Sequence, residues 1–96
     1  MARRSYVVSY DVSDDKRRNA VFRTLQGYGD HVQFSVFVCE LNGVEVSEMR
    51  ATVRNHINMR EDQVLIIDLG STASAPETCI EAVGKAYQPH VRTIVV

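Results

Sequence analysis

Short apolar segments with the two-residue period of β-strands alternate along the chain with segments of helical period. Residues 5–10 are β-branched and aromatic and stop at Asp11, which predicts a first strand. Residues 63–69 are apolar almost throughout and predict a central strand. Residues 93–96 are β-branched to the end and predict a last strand, whereas residues 79–87 fit either a short helix or a strand.

Two segments carry the periodicity of an amphipathic helix. We expect the first to begin with Ser13 as its N-cap, because two aspartates follow in the first turn and offset the helix dipole. It runs to about Gln26, where glycines end it. A turn at Asn42-Gly43 then precedes a second helix over residues 45–59. The apolar stripes are Val21, Leu25 and Tyr28 in the first helix and Val46, Met49, Val53 and Ile57 in the second.

Residues 32–41 alternate in polarity and fit one long strand or two short strands kinked near Ser35. One face would carry Val32, Phe34, Val36 and Val38, and the other Gln33, Ser35, Phe37 and Cys39. The second face is half apolar. Because a half-apolar sheet face that no helix covers usually meets another subunit, we expect this face to form an interface.

The order of the predicted elements points to one fold class. Two helices and about four strands in 96 residues fit a ferredoxin-like split βαβ sandwich of the α+β class, with an additional C-terminal strand. The length predicts a single domain over residues 1–96. A hydrophobic content of 45% and a charged content of 24% argue against disorder.

Charge and cysteine content narrow the class of protein further. The net charge of −1 excludes a polycation, so any nucleic-acid binding should be confined to a patch. Nine of the 11 basic residues are Arg, which suits bidentate phosphate contacts. Cys39 and Cys79 lack metal-finger spacing and should be buried thiols in a reducing cytoplasm. No apolar stretch approaches the roughly 18 residues of a membrane span, so we expect no membrane partner.

Asp11 is the sharpest candidate for chemistry, since it is the first charge after an apolar strand and precedes a turn. The alternative is a turn-forming aspartate that bonds its own backbone. A single carboxylate makes a poor Mg²⁺ site, but a homodimer that brings two copies of Asp11 together would make a better one. Such an ion could polarise a phosphodiester and lower the pKa of an attacking water.

Arg17 and Arg18 fall in the first turn of the first helix, close to the end of the preceding strand. We favour a phosphate contact near Asp11 for them. The alternative is a pair of salt-bridged arginines, with Asp14 and Asp15 near enough to be their partners.

Two segments taken together resemble the CRISPR-associated protein 2 family. The sequence YDVSDDKRR at residues 10–18 is similar to the family pattern YD(I/V)xDDxxR, and VQFSVF at residues 32–37 is similar to VQxSVF. The resemblance implies a ferredoxin-like homodimer in which Asp11 of both subunits binds one Mg²⁺. It also implies metal-dependent cleavage of RNA or DNA, and association with the CRISPR-associated protein 1 integrase, where the dimer holds duplex DNA.

The resemblance also assigns roles to individual residues. Arg17 or Arg18 matches the family's arginine after the acidic pair. Phe37 matches the aromatic of the second motif and becomes a candidate nucleic-acid contact, although core or dimer interface is the commoner role of such a residue. His31 stands where the family often has Arg, and because imidazole is mostly neutral at pH 7 it should bind nucleic acid more weakly.

Two functions follow from this resemblance. The first is a homodimeric Mg²⁺-dependent endonuclease in spacer acquisition and antiviral defence. The alternative is a non-catalytic DNA-binding adaptor of the integrase complex.

Overall fold

The computed structural model describes residues 2–72 and 79–87 and contains four strands and two helices in that part of the chain. In chain order they are β1 Arg4–Asp11, α1 Asp15–Gln26, β2 Gly29–Gln33, β3 Val36–Leu41, α2 Gly43–His56 and β4 Gln63–Ser71. The sheet order is β2-β3-β1-β4, and each pair of neighbours is antiparallel. This is the ferredoxin-like split βαβ arrangement that the sequence predicts; the additional strand predicted over residues 93–96 lies outside the described residues.

The core lies between one face of the sheet and the two helices. Alternate residues of β1 and β3 point into it because successive side chains of a strand face opposite sides. The buried cluster consists of Tyr6, Val8, Tyr10, Val12, Val21, Leu25, Phe37, Cys39, Leu41, Val46, Met49 and Val53. Both predicted helical stripes supply members of this cluster, which confirms the helical periodicity.

The beginnings of both helices differ from the predicted ones. Asp14, rather than Ser13, is the N-cap of α1, and its carboxylate accepts a hydrogen bond from the backbone N–H of Arg17 at 2.9 Å. Asn42 is the N-cap of α2 rather than part of a free turn. It forms a capping box with Glu45, with both hydrogen bonds 2.9 Å long. The second helix therefore begins at Gly43 and ends at His56, both earlier than expected.

The stretch predicted as one or two strands forms a hairpin. Residues 34–35 form its turn, and Gln33 pairs with Val36. Phe37 and Cys39 face the helices and belong to the core. The expectation that their face meets another subunit is wrong because the helices cover this face.

Both described helices pack on the same face of the sheet. On the opposite face Leu65 and Ile67 of β4 are each 47% exposed, and Val7 lies beside them in register with Ile67. Among the described strands β4 lies at the edge of the sheet, beside β1. Its prediction as a central strand depends on the strand predicted over residues 93–96, which lies outside the described residues.

The segment 79–87 adopts neither the helix nor the strand that the sequence allowed. Together with Val7, Val36 and Val38 it lines a cavity. Cys39 is buried as expected, but Cys79 is exposed, which corrects that prediction. No helix in the part of the chain that the structure describes is long and apolar enough to cross a membrane.

Candidate metal and nucleic-acid site

Asp11 ends β1, the strand that lies between β3 and β4, and it pairs there with Gln63. Its side chain is exposed. Within residues 2–72 and 79–87 the carboxylate has no hydrogen bond and no ion pair, so the backbone-bonded turn aspartate of the alternative interpretation is not observed. The Asp11 carboxylate therefore keeps its full capacity to bind a cation.

The other carboxylates near this strand end are engaged in structural contacts. Asp14 caps α1, and Asp15 forms an ion pair with Arg18. Asp62, in the loop before β4, is bound by Arg17. No three His, Cys, Asp or Glu side chains gather into a metal-binding group among residues 2–72 and 79–87. Within the described part of one chain, Asp11 is thus the single carboxylate at this strand end that is available to bind a metal ion.

Arg17 has the ion-pair role that the sequence left as the alternative. Its Nε donates to Oδ2 of Asp62 at 2.7 Å and its Nη2 donates to Oδ1 at 3.2 Å, while Nη2 also lies 3.3 Å from Glu61. The Asp62 side chain is fully buried and also accepts from the backbone N–H of Asn58 at 2.8 Å. These hydrogen bonds, that of Arg17 foremost, lower the pKa of Asp62.

Arg18 contacts the backbone immediately after the end of β1. Its Nη1 donates to the backbone carbonyl of Val12 at 3.1 Å, and its Nη2 pairs with Asp15. Burial raises the pKa of Tyr10, and the positive charge of Arg18 offsets part of that rise. A guanidinium has five N–H donors, and about a third of the Arg18 side chain is exposed. Arg18 therefore keeps donors that face solvent near Asp11.

Phe37 lies in an aromatic cluster under the helices. It is 0% exposed, with ring centroids 5.5 Å from Phe22, 5.0 Å from His31 and 6.3 Å from Tyr10. A fully buried ring has no face to offer to a base. The expectation that Phe37 contacts nucleic acid is therefore wrong in this fold, and the core role weighed beside it is the one observed.

His31 is exposed, but its ring is held at the edge of the same cluster. The ring packs edge-on against Phe22 with centroids 5.0 Å apart, and Nε2 lies 3.2 Å from the carbonyl oxygen of Phe34. Tyr10 contacts the same turn, since its hydroxyl donates to that carbonyl at 3.4 Å. The backbone N–H of Tyr10 donates to the carbonyl of Ser35 at 3.1 Å. These contacts bring the hairpin turn next to the strand end that carries Asp11.

Two residues of this region escape sequence reasoning. Phe34 is 86% exposed at the hairpin turn, although its place in an alternating segment groups it with buried valines. The side chain of Asp62 is buried and forms an ion pair with Arg17, although it follows another acid in a polar stretch that is typical of a solvated loop. The exposure of Phe34 and the ion-pair partner of Asp62 are visible only in the structure, because neither has a local sequence signal.

The protein is thus a small ferredoxin-like α+β domain whose candidate site is an exposed carboxylate at the end of β1, with Arg18 bound to the backbone that follows. The family model described as CRISPR associated protein Cas2 matches residues 4–75. The chain belongs to the Cas2 family.

Curated relatives and solved structures agree with this assignment. A CRISPR-associated endoribonuclease Cas2 of Rhodospirillum rubrum is 41% identical over 87 residues, which are 91% of this chain and 84% of the relative. A CRISPR-associated endonuclease Cas2 of Thermus thermophilus is 30% identical over 98% of this chain and 97% of its own. The crystal structure of Streptococcus pyogenes Cas2 superposes with a TM-score of 0.73 at 26% identity, covering 83% of this chain and 99% of that one.

Proposed function

We propose that this chain is a homodimeric, Mg²⁺-dependent endonuclease that cleaves phosphodiester bonds of RNA or DNA during CRISPR spacer acquisition, in antiviral defence. The observation that carries the proposal is the exposed Asp11 carboxylate, which has no partner among the described residues while the neighbouring acids are engaged. Relatives that bear the names endoribonuclease and endonuclease support the reaction class.

The donor chemistry of Asp11 fits a hard divalent cation, because such ions prefer carboxylate oxygen and water. One chain supplies one carboxylate, so the site would be completed by Asp11 of a second copy. The half-exposed Leu65 and Ile67, on the sheet face opposite the helices, support a subunit contact. A bound Mg²⁺ would polarise the phosphodiester and lower the pKa of an attacking water. Arg18 would offset the negative charge that develops on the phosphate.

The test is cleavage of labelled single-stranded RNA and duplex DNA by wild type and Asp11→Asn, with Mg²⁺ and with EDTA. The matched control is Glu48→Gln, which removes an exposed carboxylate on α2. We expect cleavage by wild type and Glu48→Gln in Mg²⁺ and no cleavage by Asp11→Asn or in EDTA. Equal cleavage in all samples would indicate a contaminant and contradict the proposal.

A non-catalytic adaptor that holds duplex DNA for the CRISPR-associated protein 1 integrase is the second candidate. The observation that favours it is the single carboxylate per described chain beside the solvent-facing donors of Arg18. In that case Asp11→Asn leaves integration by the complex unchanged. Arg18→Gln would weaken duplex binding and reduce its salt dependence, because one phosphate contact is lost.

A further inference from the structure

We infer that Gln63 is a positioning residue for the reaction at Asp11, and that its carboxamide orients the attacking water. The inference rests on the proposed nuclease function and assigns a role in that site to a residue outside both sequence motifs. Gln63 is the first residue of β4, and the register of the sheet pairs it directly with Asp11 at the end of β1. Both residues are exposed.

The pleat of the sheet places the two side chains on one face. The adjacent pair of the same ladder is Tyr10 with Val64. Tyr10 belongs to the buried core and Val64 packs against it, so both face the helices. Because successive side chains of a strand face opposite sides, Asp11 and Gln63 face away from the helices. Residues directly opposite in an antiparallel pair have Cβ atoms about 5 Å apart, so the carboxylate and the carboxamide are neighbours.

The backbone that carries Gln63 is anchored through the residue before it. The buried Asp62 carboxylate is bound by Nε of Arg17 at 2.7 Å and accepts from the backbone N–H of Asn58 at 2.8 Å. The Asp62 N–H in turn donates to the Asn58 carbonyl at 2.9 Å. A group carried by an ordered backbone loses less conformational entropy when it binds a ligand. Gln63 is therefore supported from a fixed position.

The carboxamide of Gln63 has free donors and a free acceptor. Within residues 2–72 and 79–87 its side chain has no hydrogen bond, not even to the neighbouring Asp11. Two N–H donors and one carbonyl oxygen are thus available. Mg²⁺ held by carboxylates keeps several waters. Oε1 of Gln63 would accept a hydrogen bond from the attacking water while Nε2 donates to a phosphate oxygen. A glutamine orients the attacking water in GTP hydrolysis in a comparable way.

Gln63 takes no proton in this role, because a carboxamide does not ionise near neutral pH. The water oxygen forms a bond to phosphorus as the bond from phosphorus to the leaving oxygen breaks. The water gives one proton to solvent, and the leaving oxygen gains one from solvent. Loss of the carboxamide should therefore slow the reaction without changing the shape of its pH profile.

Cleavage kinetics of Gln63→Ala at saturating Mg²⁺ measure this effect. We expect kcat to fall about tenfold, a usual loss for a group outside the ligand shell, with KM and the shape of the pH profile unchanged. The matched control is Gln26→Ala, which removes an exposed carboxamide at the end of α1 and should cleave like wild type. An unchanged kcat in Gln63→Ala would overturn the inference. A decrease in kcat that thermal unfolding attributes to loss of folded protein would also overturn it.

Binding of Mn²⁺ alone, followed by the electron paramagnetic resonance of the free ion, tests the position of Gln63 without turnover. Gln63→Glu sets a second carboxylate beside Asp11 and should tighten Mn²⁺ binding about tenfold, because one more negative charge lies close to the ion. Gln26→Glu makes the same charge change at the far end of α1 and should leave the affinity unchanged. Equal Mn²⁺ affinities of these two variants would overturn the inference.

Asp11→Asn separates the inference from the proposed function. If Asp11→Asn loses cleavage and Mn²⁺ binding while the Gln63 variants behave like wild type, the metal site stands and only the role of Gln63 fails. Cleavage and Mn²⁺ binding by Asp11→Asn equal to those of wild type would overturn the proposed metal site, and the role of Gln63 with it.

Discussion

The guanidinium of Arg17 and the buried carboxylate of Asp62 form a bidentate pair that joins the first turn of α1 to the loop before β4. The Asp62 carboxylate also accepts a hydrogen bond from the backbone N–H of Asn58 at 2.8 Å. The backbone of Ser13 makes a smaller contribution to its lowered pKa. Asp62 thus joins the first turn of α1, which begins shortly after Asp11, to the segment that starts at Asn58.

Replacing Asp62 with Asn should lower the Tm by several degrees. The substitution preserves size but removes the charge that pairs with Arg17, and it leaves a buried site with fewer acceptors. Thermal unfolding followed by circular dichroism measures the change. The control is Glu61→Gln, because Glu61 is 62% exposed and contacts the same guanidinium from the surface, where ion pairs contribute little. An equal decrease in Tm in Asp62→Asn and Glu61→Gln would contradict the special role of the buried carboxylate of Asp62.

Acid should remove the stabilisation that Asp62 provides. Its pKa is lowered in the folded chain, first by the hydrogen bond from Arg17 and then by that from Asn58. A carboxyl with a lowered folded pKa stabilises the fold fully above its unfolded pKa of about 3.9 and loses this effect as the pH falls through the folded value. Urea unfolding of wild type and Asp62→Asn should give a difference in free energy that is constant near neutrality and shrinks below about pH 4. A difference that grows in acid would contradict this account.

Gly29→Ala should destabilise the fold by about 1–3 kcal/mol, the usual cost of overpacking a core. A Cβ at Gly29 would clash with the Sγ of Cys39 and would lie 2.5 Å from the carbonyl oxygen of Val38. Gly27→Ala is the matched control, since its Cβ would meet its nearest neighbour at 3.4 Å and its φ of −76° suits any residue. Denaturant unfolding should therefore give a much lower free energy of unfolding for Gly29→Ala than for Gly27→Ala. The reverse order would be inconsistent with the close contact between the strands at Gly29.

Asn42→Ala should cost about 1 kcal/mol of unfolding free energy, because it removes the N-cap of α2. The side chain of Asn42 accepts from the backbone N–H of Glu45 at 2.9 Å. Asn42→Asp keeps an acceptor at this position and should stay close to wild type in the same urea titration. If Asn42→Asp lost as much as Asn42→Ala, the side-chain cap would not be the source of the stability.

The sequence predicted the elements whose signal is local. The β-branched run before Asp11, the apolar stripe of α1 and its end at Gln26 all correspond to the structure. The N-cap of α1 could not be chosen by sequence, because Ser13, Asp14 and Asp15 are all suitable caps. The structure selects Asp14, whose carboxylate accepts from the backbone N–H of Arg17.

The errors at the hairpin have a different cause. The strand period predicts faces only as long as the strand continues, and the turn at residues 34–35 shifts the phase. The motif-based expectation for Phe37 fails for a separate reason: the motif matches residue types, but the burial of the Phe37 ring depends on how the helices pack on the sheet. The candidate site itself was predictable only as far as Asp11 and Arg18; the buried partner of Arg17 depends on tertiary structure.

Strand β1 is hydrogen-bonded along both edges, to β3 and to β4, and its inner side chains Tyr6, Val8 and Tyr10 are buried. Its amides should therefore exchange with solvent deuterium only when the whole domain opens, as is usual for the most protected strands. The strand that positions Asp11 should therefore be among the slowest-exchanging parts of the domain. A destabilising substitution elsewhere in the chain should lower the amount of competent protein while leaving the turnover of each folded molecule the same.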